Sequence, residues 1–424
     1  MVRVTDMTHG RPIRLILLFS LPLMLGSVFQ QLYTIVDTII IGRGVGMQAL
    51  ASIGAADWIN WLVLWGLQGF TQGFAILAAQ EFGAGAYDRL RRVLAMIVKL
   101  SCWFGIAVTI ISLLLVRPLL TLLHTDPAVF GGAQTYLYVQ FGGSLIIIAY
   151  NMAAAVLRCL GDSRTPLFAI IAASFANIAL DLLFVMGFGW GIFGASFATV
   201  LAQLIAFLLC LRSLRRLPFV QLTKADWKTD PAILLHLCRL GIPTGLQMSM
   251  ITLGGMVLQS VLNGFGVVFV AGYTAANKLY GILESASVAF GYAMTAYMGQ
   301  NRGARNAARI DAGIRAVLVL SAEFTAAIVT AMFLAGKPLL GLFLSTEEAG
   351  AADALAVAYQ YLMVLMAFLF ALFMLQAYRS SLQGLGEMTV PTLSGFAEML
   401  MRMGAALVLP EEGLDGKKLF AAAA

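Results

Sequence analysis

Two carboxylates stand where the surrounding residues give them no water. Asp37 is the only acid in the apolar run 13–41, and Asn177 and Asp181 sit at i and i+4 inside IAASFANIALDLLFVMGF, which puts both on one helical face. If Asp37 and Asp181 share a cavity, burial and like-charge repulsion both favour holding a proton or a cation between them, reversibly. Other readings stay open. At ~1.5 Å per residue the run from Leu15 to Ile41 is about 40 Å long, so Asp37 belongs in the outer part of a membrane, either facing a protein interior or solvated near the interface. Asn177 and Asp181 could equally be hydrogen-bonding glue between helices in lipid.

More polar residues interrupt apolar runs: Gln30, Gln31, Tyr33, Gln68, Gln72, Gln247, Gln259, Asn277, Lys278 and Glu284. Each is a candidate for lining a substrate cavity and each is also a candidate for helix packing. Lys278 and Glu284, at i and i+6, need partners inside a membrane, from each other or from neighbouring helices. Glu398 and Arg402, at i and i+4, read as an ion pair within one helix rather than a transport site.

The elements that carry these groups must be membrane helices. Residues of the AVILMFWYC set make up 60% of the 424-residue chain and only 11% are charged, which excludes a water-soluble fold. Enzyme chemistry finds little support, because Cys102, Cys159, Cys210 and Cys238 have no C-x-x-C spacing and His9, His124 and His236 stand far apart. No metal site or cofactor is expected. Apolar stretches fall at roughly 13–41, 48–82, 93–116, 133–160, 166–187, 190–212, 237–262, 267–299, 313–336, 355–383 and 390–409, which is eleven spans. No alternating ten-residue pattern suggests a β-barrel. The first span has no small-residue cleavage site and reads as retained.

Basic residues mark orientation. Arg3, Arg11 and Arg14, then Arg89, Arg91, Arg92 and Lys99, then Arg158 and Arg164, then Arg212, Arg215, Arg216, Lys224 and Lys228, then Arg302, Arg305, Arg309 and Arg315 occupy alternate connections. Those connections, and the N-terminus, should be cytoplasmic. The opposite loops hold isolated Arg43, Arg117 and Lys337, with Asp126, Glu347 and Glu348 nearby. Net charge of +6 is therefore a matter of topology and lipid headgroups, not of nucleic acid.

The chain repeats itself. Pro22 meets Pro243, Gln80 and Gly83 meet Gln300 and Gly303, and RPLL at 117 meets KPLL at 337, all at an offset of 220 or 221. After a five-residue insertion, LRCLGDSRTP at 157–166 falls on LQGLGEMTVP at 382–391. An offset of six spans gives parallel repeats. The expected fold is an all-α polytopic membrane protein of two six-helix lobes, related by a pseudo-twofold axis along the membrane normal, with alternating access between them. The lobes are 1–212 and 234–409, joined by a cytoplasmic linker 213–233. The tail 410–424, PEEGLDGKKLFAAAA, cannot span, so the second lobe lacks its last helix; the tail reads as non-native, truncated or frame-altered sequence. Under the repeat, Asp37, Asn177 and Asp181 fall on Leu258, Arg402 and Ala406, so the second half lacks the constellation.

Pro22, Gln30 and Gln31, VDTIIIGRGVG at 36–46, QEFGAG at 80–85 and LRCLGDSRTP at 157–166 together resemble the multidrug and toxic compound extrusion (MATE) transporters, of the multidrug, oligosaccharidyl-lipid and polysaccharide flippase superfamily. The resemblance runs from about residue 11 to residue 409. It implies a plasma-membrane antiporter that exports organic cations or drugs in exchange for H+ or Na+. It also implies a coupling site of Asp37, Asn177, Asp181 and Thr199, with Pro22 as a hinge in the first helix. Family members that use a second-lobe Glu and Asp have Ile251 and Leu372 in their place here, which argues against sodium coupling through that lobe. The partners implied are amphipathic small molecules and lipid, with the chain a monomer. The alternative is a flippase for lipid-linked saccharides, which would need a strongly cationic cavity; Lys278 and Arg402 are the candidates for it.

Overall fold

The computed structural model describes residues 4–344 and 350–408; Arg3, Glu347, Glu348 and the tail 410–424 lie outside the described residues. Within them the chain forms twelve α-helices and no strand. These are α1 (Pro12–Gly44), α2 (Met47–Gly83), α3 (Tyr87–Leu122), α4 (Pro127–Gly142), α5 (Ser144–Cys159), α6 (Arg164–Asp181), α7 (Gly191–Leu214), α8 (Pro231–Leu262), α9 (Val267–Gly303), α10 (Ala307–Gly341), α11 (Ala351–Gly384) and α12 (Thr389–Val408). Helices α4 and α5 meet at Gly143 with a 49° bend, and taken together they leave eleven helical segments, one for each apolar stretch of the sequence.

Among the described residues eight helices are long and apolar enough to cross a membrane, or nine spans with the bent pair. Helices α9 and α12 miss that threshold for a physical reason. The first carries Asn277, Lys278, Glu284, Gln300, Asn301 and Arg302, and the second carries Glu398 and Arg402, and these polar groups, several of them facing protein, lower the mean hydropathy of both helices.

The repeat is visible in the turns. Gly46 and Gly266 open α2 and α9 with φ of 110° and 91°, and Gly161 and Gly386 precede α6 and α12 with φ of 90° and 75°. At the α2–α3 turn Gly85 adopts φ 67°; its counterpart in the α9–α10 turn is Arg305 at φ 55°, where a side chain pays for a left-handed backbone that glycine adopts freely. Prolines recur inside helices at Pro22 of α1 and Pro243 of α8, and at Pro118 of α3 and Pro338 of α10, each leaving a carbonyl one turn back without its helical donor.

Packing repeats as well. Helix α1 lies against α6 and α9, while α8, at the same point of the second repeat, lies against α12 and α2. The α2–α8 crossing is a seam of small residues. A Cβ on Gly69 would stand 2.7 Å from the Thr244 carbonyl oxygen, and one on Gly73 would stand 2.6 Å from Gly241 Cα, so the backbones meet directly and dispersion replaces the hydrophobic drive that lipid does not supply.

The C-terminal ends of α2 and α9 close one end of the molecule reciprocally. A Cβ on Gly83 would strike the Gln300 backbone, and one on Gly303 would strike the Gln80 backbone. Gln80 Nε2 donates to the Gly384 carbonyl at 3.1 Å, and Gln300 Nε2 donates to the Cys159 carbonyl at 2.9 Å. Donor and acceptor in the second bond are the repeat partners of those in the first. Residues whose recurrence revealed the duplication are thus the ones that lock the two halves together.

Candidate functional site

Helices α1, α6 and α7 build the polar core of the first half. Asn177 and Asp181 lie one turn apart on the inner face of α6, at 2% and 0% exposure, and immediately after Asp181 the helix widens into a π-helical turn, Leu182–Gly187. Such turns redirect backbone hydrogen bonds and concentrate at functional sites. From α1, Asp37 comes within hydrogen-bonding reach of Asp181.

No protein donor reaches Asp37 Oδ1, Asp181 Oδ1, Asp181 Oδ2 or Asn177 Oδ1, and Asn177 Nδ2 finds no acceptor. Buried polar atoms are normally paired, so a group of five without protein partners sets this place apart from the rest of the core. Two carboxylates cannot bond each other, since both only accept. With one proton between them they can, and a cation would serve the same oxygens.

Beside this pair is a small cavity of about 20 Å³, lined by Gln30, Tyr33, Asn177, Thr199, Tyr150 and Gln203 among others. That is room for one water, which needs roughly 10–15 Å³. Thr199 returns its hydroxyl to the Ala195 carbonyl at 3.2 Å, leaving its oxygen free to accept. The structure therefore gathers Asp37, Asn177, Asp181 and Thr199, with Gln30 and Tyr33, into one region. Pro22 sits in the half of α1 away from Asp37.

A third carboxylate is present that sequence reading passed over. Asp57 of α2 lies close enough to Asp37 to feel its charge and is served by the Tyr136 hydroxyl from α4, which also accepts from Asn60 Nδ2 at 3.2 Å. Its signal was available: an acid deep in the second apolar run, whose other acid, Glu81, stands at the run's end, with Asn60 three residues on. Among the described residues no three of His, Cys, Asp and Glu converge as metal ligands.

The remaining polar residues go elsewhere. Gln247 accepts from Gln383 at 2.7 Å, joining α8 to α11, and Gln259 bonds Asn263 on its own helix end at 2.9 Å. Gln68 donates to the Tyr292 hydroxyl at 2.7 Å, and the Arg158 guanidinium sits 4.7 Å over that ring, so this contact crosses between the halves. Gln72 lies on α2 with its Nε2 unpartnered, and Gln31 approaches Gly281 of α9.

In the second half the charges neutralise one another. Glu398 takes Arg402 Nη2 at 2.9 Å, the pair expected from the i, i+4 spacing, and also Arg379 Nη2 of α11 at 3.1 Å, a partner the sequence reading did not name. Arg379 Nε also donates to Ser394 at 3.0 Å. Glu284 and Lys278 form no ion pair with each other; Glu284 lies within the field of Arg402 and Glu398, and Lys278 is exposed. Asn277 accepts from Tyr361 at 3.3 Å, the repeat counterpart of the Asp57–Tyr136 contact.

Comparison with known proteins finds one family. The MatE family model matches residues 22–183 and 243–408, one segment in each repeat. The probable multidrug resistance protein YpnP of Bacillus subtilis is 34% identical over 368 residues, covering 85% of this chain and 80% of that protein. The probable multidrug resistance protein NorM of Thermotoga maritima is 26% identical over 338 residues, covering 78% and 72%. A solved transporter of the MOP superfamily from Pyrococcus furiosus superposes with a TM-score of 0.90 at 24% identity, over 100% of this chain and 94% of that one. A MATE family transporter solved in an outward-facing conformation superposes with a TM-score of 0.89 at 24% identity, over the same shares.

Proposed function

The chain belongs to the MatE family of multi-pass membrane transporters, and from that premise we propose that it is a secondary antiporter of the plasma membrane. It exports amphipathic organic cations in exchange for H+ or Na+ bound between Asp37 and Asp181. The observation that carries this reading is the pair of half-buried Asp37 and buried Asp181, three of whose oxygens no protein donor reaches, next to a cavity lined by Asn177 and Thr199 with room for a water. A buried pair with no fixed cation is stable only while a mobile one visits, so occupancy is coupled to whatever rearranges α1.

The two repeats act as lobes about an axis along the membrane normal, with the basic connections and the N-terminus in the cytoplasm. The reciprocal Gln80 and Gln300 contacts hold the cytoplasmic end shut, so the cleft between the lobes opens outward. Proline-interrupted α1 is the element that Asp37 occupancy would bend, with Pro22 as hinge. Multidrug relatives support an apolar, adaptable substrate cleft. A lipid-linked saccharide flippase is the weaker reading, since Arg379 and Arg402 are both committed to Glu398.

Export of a fluorescent organic cation from everted vesicles tests the assignment. Asp37→Asn and Asp181→Asn should each lower proton- or sodium-driven transport by at least about tenfold, since neither amide can exchange a proton. Undiminished transport in both variants would sink the coupling site. Transport with and without sodium at fixed pH identifies the ion.

A further inference from the structure

The cytoplasmic end carries a device that the coupling site does not explain. Residues 4–10, ahead of α1, fold under the molecule instead of trailing from it. Met7 is fully buried. Its N–H donates to Gln300 Oε1 at 2.8 Å, and its carbonyl accepts from Arg309 Nη2 at 2.9 Å and from Asn301 Nδ2 at 3.2 Å. Arg309 Nη1 reaches the Gly10 carbonyl at 2.8 Å, and Arg309 Nε is held by Asn301 Oδ1 at 3.0 Å. On the other side, Thr5 N–H donates to the Gly161 carbonyl of the α5–α6 turn at 3.1 Å. One short segment of the first half therefore grips α9 and α10 of the second half and the α5–α6 turn of its own half.

The repeat shows what makes this possible. Arg309 corresponds to Arg89, and Asn301 corresponds to Glu81. In the first half Arg89 Nε simply pairs with Glu81 Oε1 at 3.0 Å. In the second half the carboxylate is an amide, which engages only one guanidinium N–H and leaves the fork free to clamp two backbone carbonyls. The counterpart of the N-terminal segment is the linker ahead of α8, and it too crosses over, to the first half. Phe219 packs 5.5 Å from Phe82 and 5.4 Å from Tyr87, and Lys99 Nζ donates to the Trp227 carbonyl at 2.5 Å. Two straps thus cross the closed end, each leading into one half while fastened to the other.

We propose that the N-terminal segment is a latch, with Arg309 as its positioning residue, that sets the balance between the outward-open state and the state open to the cytoplasm. Spreading the α2 and α9 ends pulls Met7 from Gln300 and Arg309, so the latch must release in every cycle. The proposal rests on the two-lobe transport reading, but its measurement needs neither substrate nor gradient.

Labels at Ala86 and Ala308, in the full chain with Cys102 and Cys238 replaced by Ala, report the separation of the cytoplasmic ends in lipid nanodiscs. Arg309→Gln should move the ratio of open to closed ends by about tenfold, as loss of charge-assisted hydrogen bonds implies. Asn301→Glu keeps Arg309 but gives it the carboxylate its counterpart has, and should shift the ratio the same way. Arg89→Gln, which breaks only the pair with Glu81 inside the first half, should leave it unchanged. Unaltered distances in the first two variants, or an equal shift in the third, overturn the latch. Should Arg309→Gln fail to fold, Asn301→Glu decides alone. Loss of transport in Asp181→Asn with a normal distance response separates failure of the latch from failure of the coupling site.

Discussion

The polar cores of the two halves occupy equivalent places in one duplicated fold and resolve their charge in opposite ways. Around α1, α2 and α6 stand three carboxylates, Asp37, Asp57 and Asp181, with no basic side chain paired to them and several oxygens unserved. Around α9, α11 and α12 stand Arg379 and Arg402 with Glu398 between them, each charge answered by a neighbour. A charge satisfied by a fixed partner is structure. A charge without a fixed partner is what the proposed coupling site needs, because its free energy changes whenever an ion comes or goes. The two halves share one scaffold and differ at a few positions, Asn177 against Arg402 and Asp181 against Ala406, that decide where charge is left unpaired.

The contrast can be broken most forcefully at Glu398. Replacing it with Gln leaves the buried Arg379 guanidinium without its counter-charge and half-buried Arg402 with only the more distant Glu284, and should cost about 3–5 kcal/mol, seen as a large fall in the melting temperature of the detergent-solubilised protein. Asp181→Asn should leave the melting temperature unchanged or raise it, since it removes a buried charge that had no partner, while abolishing transport. Equal melting temperatures for the two variants would mean that the halves do not differ as described.

A smaller effect sharpens the boundary of the first core. Asp57 feels Asp37 without touching the pair, so Asp57→Asn should change coupling by about 0.5–2 kcal/mol, roughly 2- to 30-fold in export rate, rather than abolish it. An effect as complete as that of Asp181→Asn would make Asp57 a direct ion ligand.

The smallest expected effect lies outside the membrane, in the linker strap. Burial works against the Asp226 carboxylate, but hydrogen bonds from the Thr223 backbone N–H and hydroxyl, with Arg91 and Arg92 nearby, hold it below the ordinary value of 3.8. A carboxyl lowered on folding adds stability above its unfolded value and loses that contribution as pH falls through its folded value. Asp226→Asn should therefore melt slightly below the parent at neutral pH, and the difference should vanish as pH drops well below 3.8. A gap that persists in acid would place the residue's role in packing instead.

Much of this was legible in the residues. Asp37, Asn177 and Asp181 stood out because lone polar groups in apolar runs have no water to satisfy them and because i, i+4 spacing fixes a common face. Asp57 was equally visible but was not singled out, since nothing local tells a carboxylate near Asp37 from one facing elsewhere. Arg379 lies in YRSS near the end of α11, where it resembles a cytoplasmic anchor until α12 brings Glu398 beside it. Gln247 and Gln259 looked like cavity residues by the same criterion that found Gln30, yet they bond to Gln383 and Asn263. Sequence position cannot say which side of a helix meets a cavity and which meets a neighbour. Arg158 and Arg309 were read as topology signals; one stacks on Tyr292 across the interface and the other clamps Met7 and Gly10.

By itself the sequence determined what local physics dictates: the membrane environment from composition, the apolar helices from the length of their runs, the duplication from Gly, Pro and Gln at a fixed offset, and the isolated acids that needed partners. Tertiary structure decided which of those acids meet, that the second half closes its charges on itself, and that a seven-residue segment ahead of α1 turns back to fasten the far half. The first and the last depend on residues more than a hundred positions apart, and the second on a pair, Arg379 and Glu398, that lies on different helices. Their distances are set by how glycine-lined helices cross, and no periodicity along one helix encodes that crossing.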